Sequence, residues 1–245
     1  MADNARGFPV TLESWGWSQK GDIRPENQDS FLSWNERLLW AVADGVGSSA
    51  HGGEAGRLVT RMLLTTPHAA SLDEHVNNVG GILRQGNDIL RAHGGATQAA
   101  STVVALLMHG GEAACLWAGD SRCYLLRDGV LYQCTREHTL RQEKIDNGEL
   151  TAPEARRMVR GNIITNAVGA RDALRLDEVR FSLRGGDKFL LCSDGLSNLL
   201  GPDALAARLA RTSAREAAED MARAVDGVPQ PDNITLVAVF ISSLR

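Results

Sequence analysis

Four acidic motifs sit beside apolar runs: LLWAVADG at Asp44, ACLWAGDS at Asp120, KFLLCSDG at Asp194 and PDNITLVAVF at Asp232. Short apolar runs bounded by Gly, Asp or Pro read as buried strands, so three of these acids leave a strand and Asp232 enters one. If the last strand runs antiparallel to the others, all four carboxylates converge at one edge of a sheet. Converging carboxylates repel unless something positive lies between them. Hard oxygen donors favour magnesium, manganese or calcium over zinc, and an open carboxylate site suits metal-assisted phosphoryl chemistry. Asp-Gly is also an ordinary turn and Asp-Asn an ordinary loop pair. Recurrence at so many strand ends is what favours a site.

The elements that must position these acids fall into groups. Between Val10 and Asp44, TLESWGW, SFLSW and LLWAVAD read as antiparallel strands separated by polar turns. Gly53 to Thr66 has helical apolar spacing and stops before Pro67, and Leu72 to His93 follows a Ser71/Asp73/Glu74 capping signature. Residues 101–135 read as a four-stranded meander with turns at Gly110-Gly111, Gly119-Asp120 and Asp128-Gly129. Leu140 to Arg160 is polar and helix-prone, a surface flap over about residues 140–162. A strand at Lys188 to Ser193, helices at Pro202 to Arg211 and Ala214 to Val225, and a final strand ITLVAVFI complete the chain. Grouped rather than alternating strands and helices predict an α+β fold, with antiparallel sheets and helices packed outside. No repeat or linker divides the 245 residues, so one domain over 1-245 is expected.

Composition narrows the function classes. With 43% hydrophobic and 23% charged residues, the chain has ordinary globular balance. A net charge of -4 argues against a nucleic-acid surface, and the Arg156, Arg157, Arg160 cluster has the spacing of a solvated helix face. No apolar stretch reaches the roughly 20 residues of a membrane-spanning helix, and no signal-peptide core opens the sequence. Cys115, Cys123, Cys134 and Cys192 form no CxxC pair and read as reduced core thiols, which places the protein in the cytoplasm.

Read in order, RPENQDSF, ADGVG, GGEAG, STVVALL, AGDSRCYLL, TREHTL, ITNAVG, LLCSDGL and PDNITLV resemble the metal-dependent protein serine/threonine phosphatases of type 2C, in the bacterial single-domain form. The resemblance spans about residues 12–241. It implies a four-layer α-β-β-α sandwich, two antiparallel sheets flanked by helices, with a binuclear metal site at one end. It implies two manganese or magnesium ions bridged by Asp44, with the Gly45 carbonyl on one, Asp194 and Asp232 on the other, and Asp29 acting through metal-bound water. Asp120, with Asp194, matches the position of a third, weaker metal; a turn-stabilising carboxylate is the other reading. Arg24 matches the phosphate anchor, because a guanidinium fork meets two phosphate oxygens at once.

The implied reaction is hydrolysis of phosphoserine and phosphothreonine by a metal-bridging hydroxide, with Asp44, Asp194 and Asp232 as the catalytic acids. The expected partners are phosphorylated proteins, including a serine/threonine kinase whose action the enzyme opposes, with no nucleic acid, no membrane and a monomeric state. Two positions depart from the family pattern. Gln28 stands where many members carry Glu, and Val46 where eukaryotic members carry a histidine proposed as general acid. His51 is a loop histidine without a fixed role and His138 reads as structural, so no acid is assigned. The alternative is a catalytically degenerate domain that binds phosphoprotein without turnover. Retained Asp44, Asp194 and Asp232 count against it. A two-metal nuclease lacks the basic stripe that nucleic acid requires.

Overall fold

The computed structural model describes residues 10–46, 50–93, 99–158 and 163–244. The long apolar runs become strands buried on both faces. In β3 (Leu39–Val46), Leu39, Ala41 and Ala43 point one way, Trp40 and Val42 the other, and all five are fully buried. The two-residue period of a strand forces this split, and each side has its own cover.

One sheet is ordered β2 (Asp29–Trp34), β3, β5 (Val103–His109), β6 (Glu112–Ala118) and β9 (Asp177–Ser182), with the short β4 (Ala100–Ser101) also paired to β3. The other is ordered β1 (Val10–Gln19), β11 (Ile234–Leu244), β10 (Lys188–Cys192), β7 (Arg122–Arg127) and β8 (Val130–Gln133). Every strand pairing is antiparallel. Between the sheets lie Trp40, Leu106, Trp117, Phe189, Leu191 and Val239. Fully burying side chains of this size stabilises by roughly 1.5–3 kcal/mol each.

Helices α1 (Ala50–Leu63) and α2 (Leu72–His93) cover the first sheet through Val59, Leu63, Val79 and Leu83. The predicted cap of α2 forms: Ser71 Oγ accepts the Glu74 N–H at 3.1 Å, and the Glu74 carboxylate accepts the Ala70 N–H at 2.6 Å. On the second sheet lie α5 (Asp194–Leu199), α6 (Pro202–Leu209) and α7 (Ala214–Val225), through Leu196, Leu205, Leu209 and Met221. The layers therefore run helix, sheet, sheet, helix, as the resemblance implies.

Residues 101–135 differ from the expected meander. β5 and β6 belong to one sheet and β7 and β8 to the other, so the Gly119-Asp120 turn carries the chain between sheets. Gly119 has φ +114, outside the reach of ordinary residues, and Asp120 and Ser121 after it are buried. Pairing register brings the acidic ends together. Asp29 lies opposite Asp44. Cys192 lies opposite both Arg122 and Leu236, so Asp120, Asp194 and the approach from Asp232 share one end of the second sheet.

The flap segment consists of α3 (Leu140–Asp146) and α4 (Ala152–Met158), with Ala155 its buried helical residue; residues 159–162 lie outside the described ones. Cys115, Cys123 and Cys192 are buried free thiols and Cys134 is half-buried. Among the described residues, no helix is long and apolar enough to cross a membrane.

Candidate metal centre

Each acid reaches the shared edge by a different local device. Asp44 is the sixth residue of β3, and its backbone N–H donates to Thr102 Oγ1 at 3.1 Å. Asp29 opens β2, and one of its oxygens accepts Ser193 Oγ at 2.8 Å, which ties the two sheets together. Asp194 opens α5, where a helix N-terminus favours negative charge, and its Oδ2 accepts Asn198 Nδ2 at 3.1 Å. Asp232 precedes β11, and Asp120 sits in the buried crossover turn.

Burial pushes the Asp44 carboxyl well above the usual carboxylate range, and Asp29, Asp194, Asp120 and Asp232 push it in the same direction. Burial likewise raises Asp120 to about 8, with Asp194 and Glu137 adding to it. Asp29 is raised to about 6, again chiefly by burial and against the hydrogen bond from Ser193. Four carboxylates that all oppose the charge of a buried fifth are a costly arrangement that a cation would relieve.

The donor set fits hard divalent ions. It is all oxygen, and Asp29 Oδ1 and Asp120 Oδ1 are buried acceptors without a hydrogen-bond partner. Gly45 follows Asp44 in the strand, its N–H donating to the Gln28 carbonyl at 3.2 Å. Gln28 is buried, and its amide nitrogen lies beside Gly52. Among the described residues, no three His, Cys, Asp or Glu side chains form a ready ligand group.

Arg24 is bound to Asp232 through two parallel hydrogen bonds, Nε to Oδ1 at 3.0 Å and Nη2 to Oδ2 at 2.9 Å. The Asp232 hydrogen bonds hold the guanidinium above its ordinary pKa against partial burial, and the charges of Asp232, Asp44 and Asp194 act in the same direction. The expected phosphate anchor therefore stands at the acidic edge with its fork on a carboxylate. His138 is remote from solvent, with Nδ1 facing Gly119 N–H and Asn166 and Nε2 facing Asp177. The side chain of His51 lies outside the described ones.

Several supporting residues were not foreseen from the sequence. Ser193 joins Asp29 to the Thr235 N–H, which donates to its Oγ at 3.0 Å. Thr102 Oγ1 lies 2.7 Å from Ser121 Oγ while holding Asp44. Asn233 accepts the Gln28 N–H at 2.8 Å and donates to the Lys20 and Glu26 carbonyls, stapling the Arg24 loop to the Asp232 loop. Each adjoins a candidate acid or a quoted motif, and that adjacency was the available signal.

Comparison with known proteins gives a consistent picture. The sequence model of the family Protein phosphatase 2C matches residues 24–228. The serine/threonine protein phosphatase PstP of Mycobacterium tuberculosis is 31% identical over 228 residues, 91% of this chain and 44% of that protein. This chain thus spans less than half the length of that relative. PppA, a key regulatory component of T6SS in Pseudomonas aeruginosa, superposes with a TM-score of 0.86 at 35% identity, covering 95% of this chain and 99% of that one. The PstP catalytic domain in complex with 2 manganese ions gives a TM-score of 0.84 at 29% identity, over 95% of this chain and 99% of that one.

Proposed function

The chain belongs to the protein phosphatase 2C family, and from that membership we propose that it is a metal-dependent enzyme hydrolysing phosphoserine and phosphothreonine in proteins. The observation that carries this reading is the meeting of Asp29, Asp44, Asp120, Asp194 and Asp232 with Arg24 at one end of the sandwich.

When bound, two divalent cations supply an ionised water near neutral pH and neutralise charge on the phosphoryl oxygens. In this reading Asp44, the Gly45 carbonyl, Asp194 and Asp232 would hold the two ions, with Asp29 contributing through water. Asp120 with Asp194 would hold a third, weaker ion. Manganese and magnesium both suit such donors, and the two manganese ions in the PstP catalytic domain support manganese.

Arg24 takes the substrate phosphoryl group. The Nε and Nη2 edge that now meets two carboxylate oxygens has the spacing to meet two phosphate oxygens. Asp232, freed by that exchange, would be available to a cation. The protein needs no side chain as nucleophile, and His138 is not assigned as general acid, since its ring is buried and both its nitrogens are engaged, Nδ1 by Gly119 and Asn166 and Nε2 by Asp177. The substrates are phosphorylated proteins, a serine/threonine kinase among them, acted on by a monomeric single domain in the cytoplasm.

The test is turnover of p-nitrophenyl phosphate and a phosphothreonine peptide with manganese, magnesium or chelator, for the native chain and Asp194→Asn. Turnover that needs metal and collapses in the variant is expected. Metal-independent turnover or a fully active variant would overturn the reading, as would phosphopeptide binding without turnover under any metal.

A further inference from the structure

His138 belongs to neither sheet, yet its side chain is 2% exposed. Its backbone N–H donates to the Gly119 carbonyl at 2.9 Å, and the Gly119 N–H returns to His138 Nδ1 at 3.2 Å. Asn166 Nδ2 lies 2.8 Å from the same Nδ1 and donates to the Arg175 carbonyl at 2.8 Å. On the far side, Nε2 stands 3.1 Å from Asp177 Oδ2. Trp117 stacks along the ring, with centroids 6.2 Å apart.

Two N–H donors directed at Nδ1 leave no place there for a proton, so the imidazole carries it on Nε2, toward Asp177. Burial lowers the pKa of this histidine, with the Asp177 hydrogen bond opposing, which agrees with a neutral ring. The residue gripped in this way, through both its N–H and its carbonyl, is Gly119, immediately before Asp120. On its other side a Cβ at Gly119 would fall 2.6 Å from Thr102 Cβ, and Thr102 also holds the Asp44 N–H. The turn is clamped between Thr102 and His138. Asp120 Oδ1 has no hydrogen-bond partner of its own, so the turn is what aims it.

We propose that His138 is a positioning residue for Asp120: its Nε2-protonated ring, oriented by Asp177 and Asn166, grips Gly119 and sets the direction in which Asp120 offers its carboxylate to a cation. The assignment rests on the reading of Asp120 as a metal ligand. It also gives the flap and the metal edge a common anchor, because Thr139, the next residue, caps α3 by accepting the Gln142 N–H at 3.2 Å.

The experiment counts manganese ions and their affinities by calorimetry on the metal-stripped full chain, with thermal melts alongside. Asp120→Asn, the reference, is expected to lose the weakest ion. His138→Leu removes both ring contacts and is expected to weaken that same ion by about 10- to 100-fold, the usual effect of losing an outer-shell partner. His138→Asn, whose Oδ1 can replace Nδ1 toward Gly119, is expected to bind close to the native chain. Asp177→Ala changes a half-exposed residue and keeps the test open if His138→Leu does not fold. It should weaken the same ion and add nothing to Asp120→Asn. Unchanged manganese affinities with only a lower melting temperature would overturn the proposal, and so would losses that add to that of Asp120→Asn. Full manganese binding by Asp120→Asn itself would instead remove the premise that Asp120 is a ligand.

Discussion

Arg24 grips Asp232 side-on, its Nε and Nη2 each donating to a different carboxylate oxygen across 208 residues of sequence. The contact is held in place by Asn233, which binds the backbone on both sides of Arg24 at Lys20 and Glu26 and meets the Gln28 N–H. Asp44 and Asp194 also favour the charge of Arg24, a cation that this edge carries within its own chain. If Arg24 recognises phosphate, as proposed, it must exchange that task for its contact with Asp232.

Replacing Arg24 by Ala therefore has separable effects. Charge-assisted hydrogen bonds contribute about 1.5–3 kcal/mol, so turnover of a phosphothreonine peptide at low substrate should fall roughly 10- to 100-fold. The manganese concentration for half-maximal rate should not rise, since Asp232 loses a competitor. A higher metal requirement in the variant would mean that Arg24 holds Asp232 in place as a ligand.

Asp44 is penalised by burial and by its four acidic neighbours. Asp44→Asn removes a like charge from the centre of the cluster with little change of shape. In chelator, thermal melting should show the variant more stable than the native chain, while its turnover with manganese is abolished. This is the trade expected where function demands a strained site. A variant that melts lower in chelator would show that the acids do not strain the fold.

The central strands were readable because strands buried on both faces leave unbroken apolar runs such as STVVALLM and ITLVAVFI, whereas their packing into a sandwich came from the family resemblance. Three features were not readable. β9, DEVRFS, alternates between half-buried and exposed residues at a sheet edge and carries little apolar signal. α5 is a six-residue helix hidden in the motif around Asp194. The Gly119-Asp120 turn resembles a hairpin, and which sheet accepts the next strand is decided by distant partners. At the site, acids beside strands were visible one by one. The Arg24–Asp232 contact and the Asn233 staple join opposite ends of the chain, and no local pattern encodes such pairings.

His75, buried near the start of α2, is held below the ordinary histidine pKa of 6.5 mainly by its removal from water, with His109 and Arg37 also lowering it and a backbone contact at Met108 opposing. The unfolded chain thus takes up this proton first. Stability from neutral His75 is complete above about pH 6.5 and is lost as pH falls through the folded-state value. On acidification from pH 7.5 to 5 the melting temperature of the native chain should fall relative to that of His75→Gln, while the raised carboxyls of Asp29, Asp44 and Asp120 act in the opposite direction in both proteins. His138 shares the sign of His75 and is common to both. Parallel slopes in the two proteins would exclude His75 as a contributor.

Gly195 decides how closely Asp194 and Asp232 can approach. It follows Asp194 at the start of α5, and a Cβ there would fall 2.0 Å from the backbone oxygen of Asn233, which follows Asp232. Backbone cannot rotate aside as a side chain can, so Gly195→Ala must part the helix start from the β11 entry by about 1 Å, a displacement that costs on the order of 100-fold where reacting groups are held in register. Overpacking of this kind also destabilises by about 1–3 kcal/mol. The expected result is a folded variant with a lower melting temperature, kcat/KM down about 100-fold and a higher manganese requirement. Gly201→Ala, where a Cβ meets nothing within 4 Å, serves as the control and should remain active. Native turnover in Gly195→Ala would show that the separation of Asp194 and Asp232 does not govern the reaction.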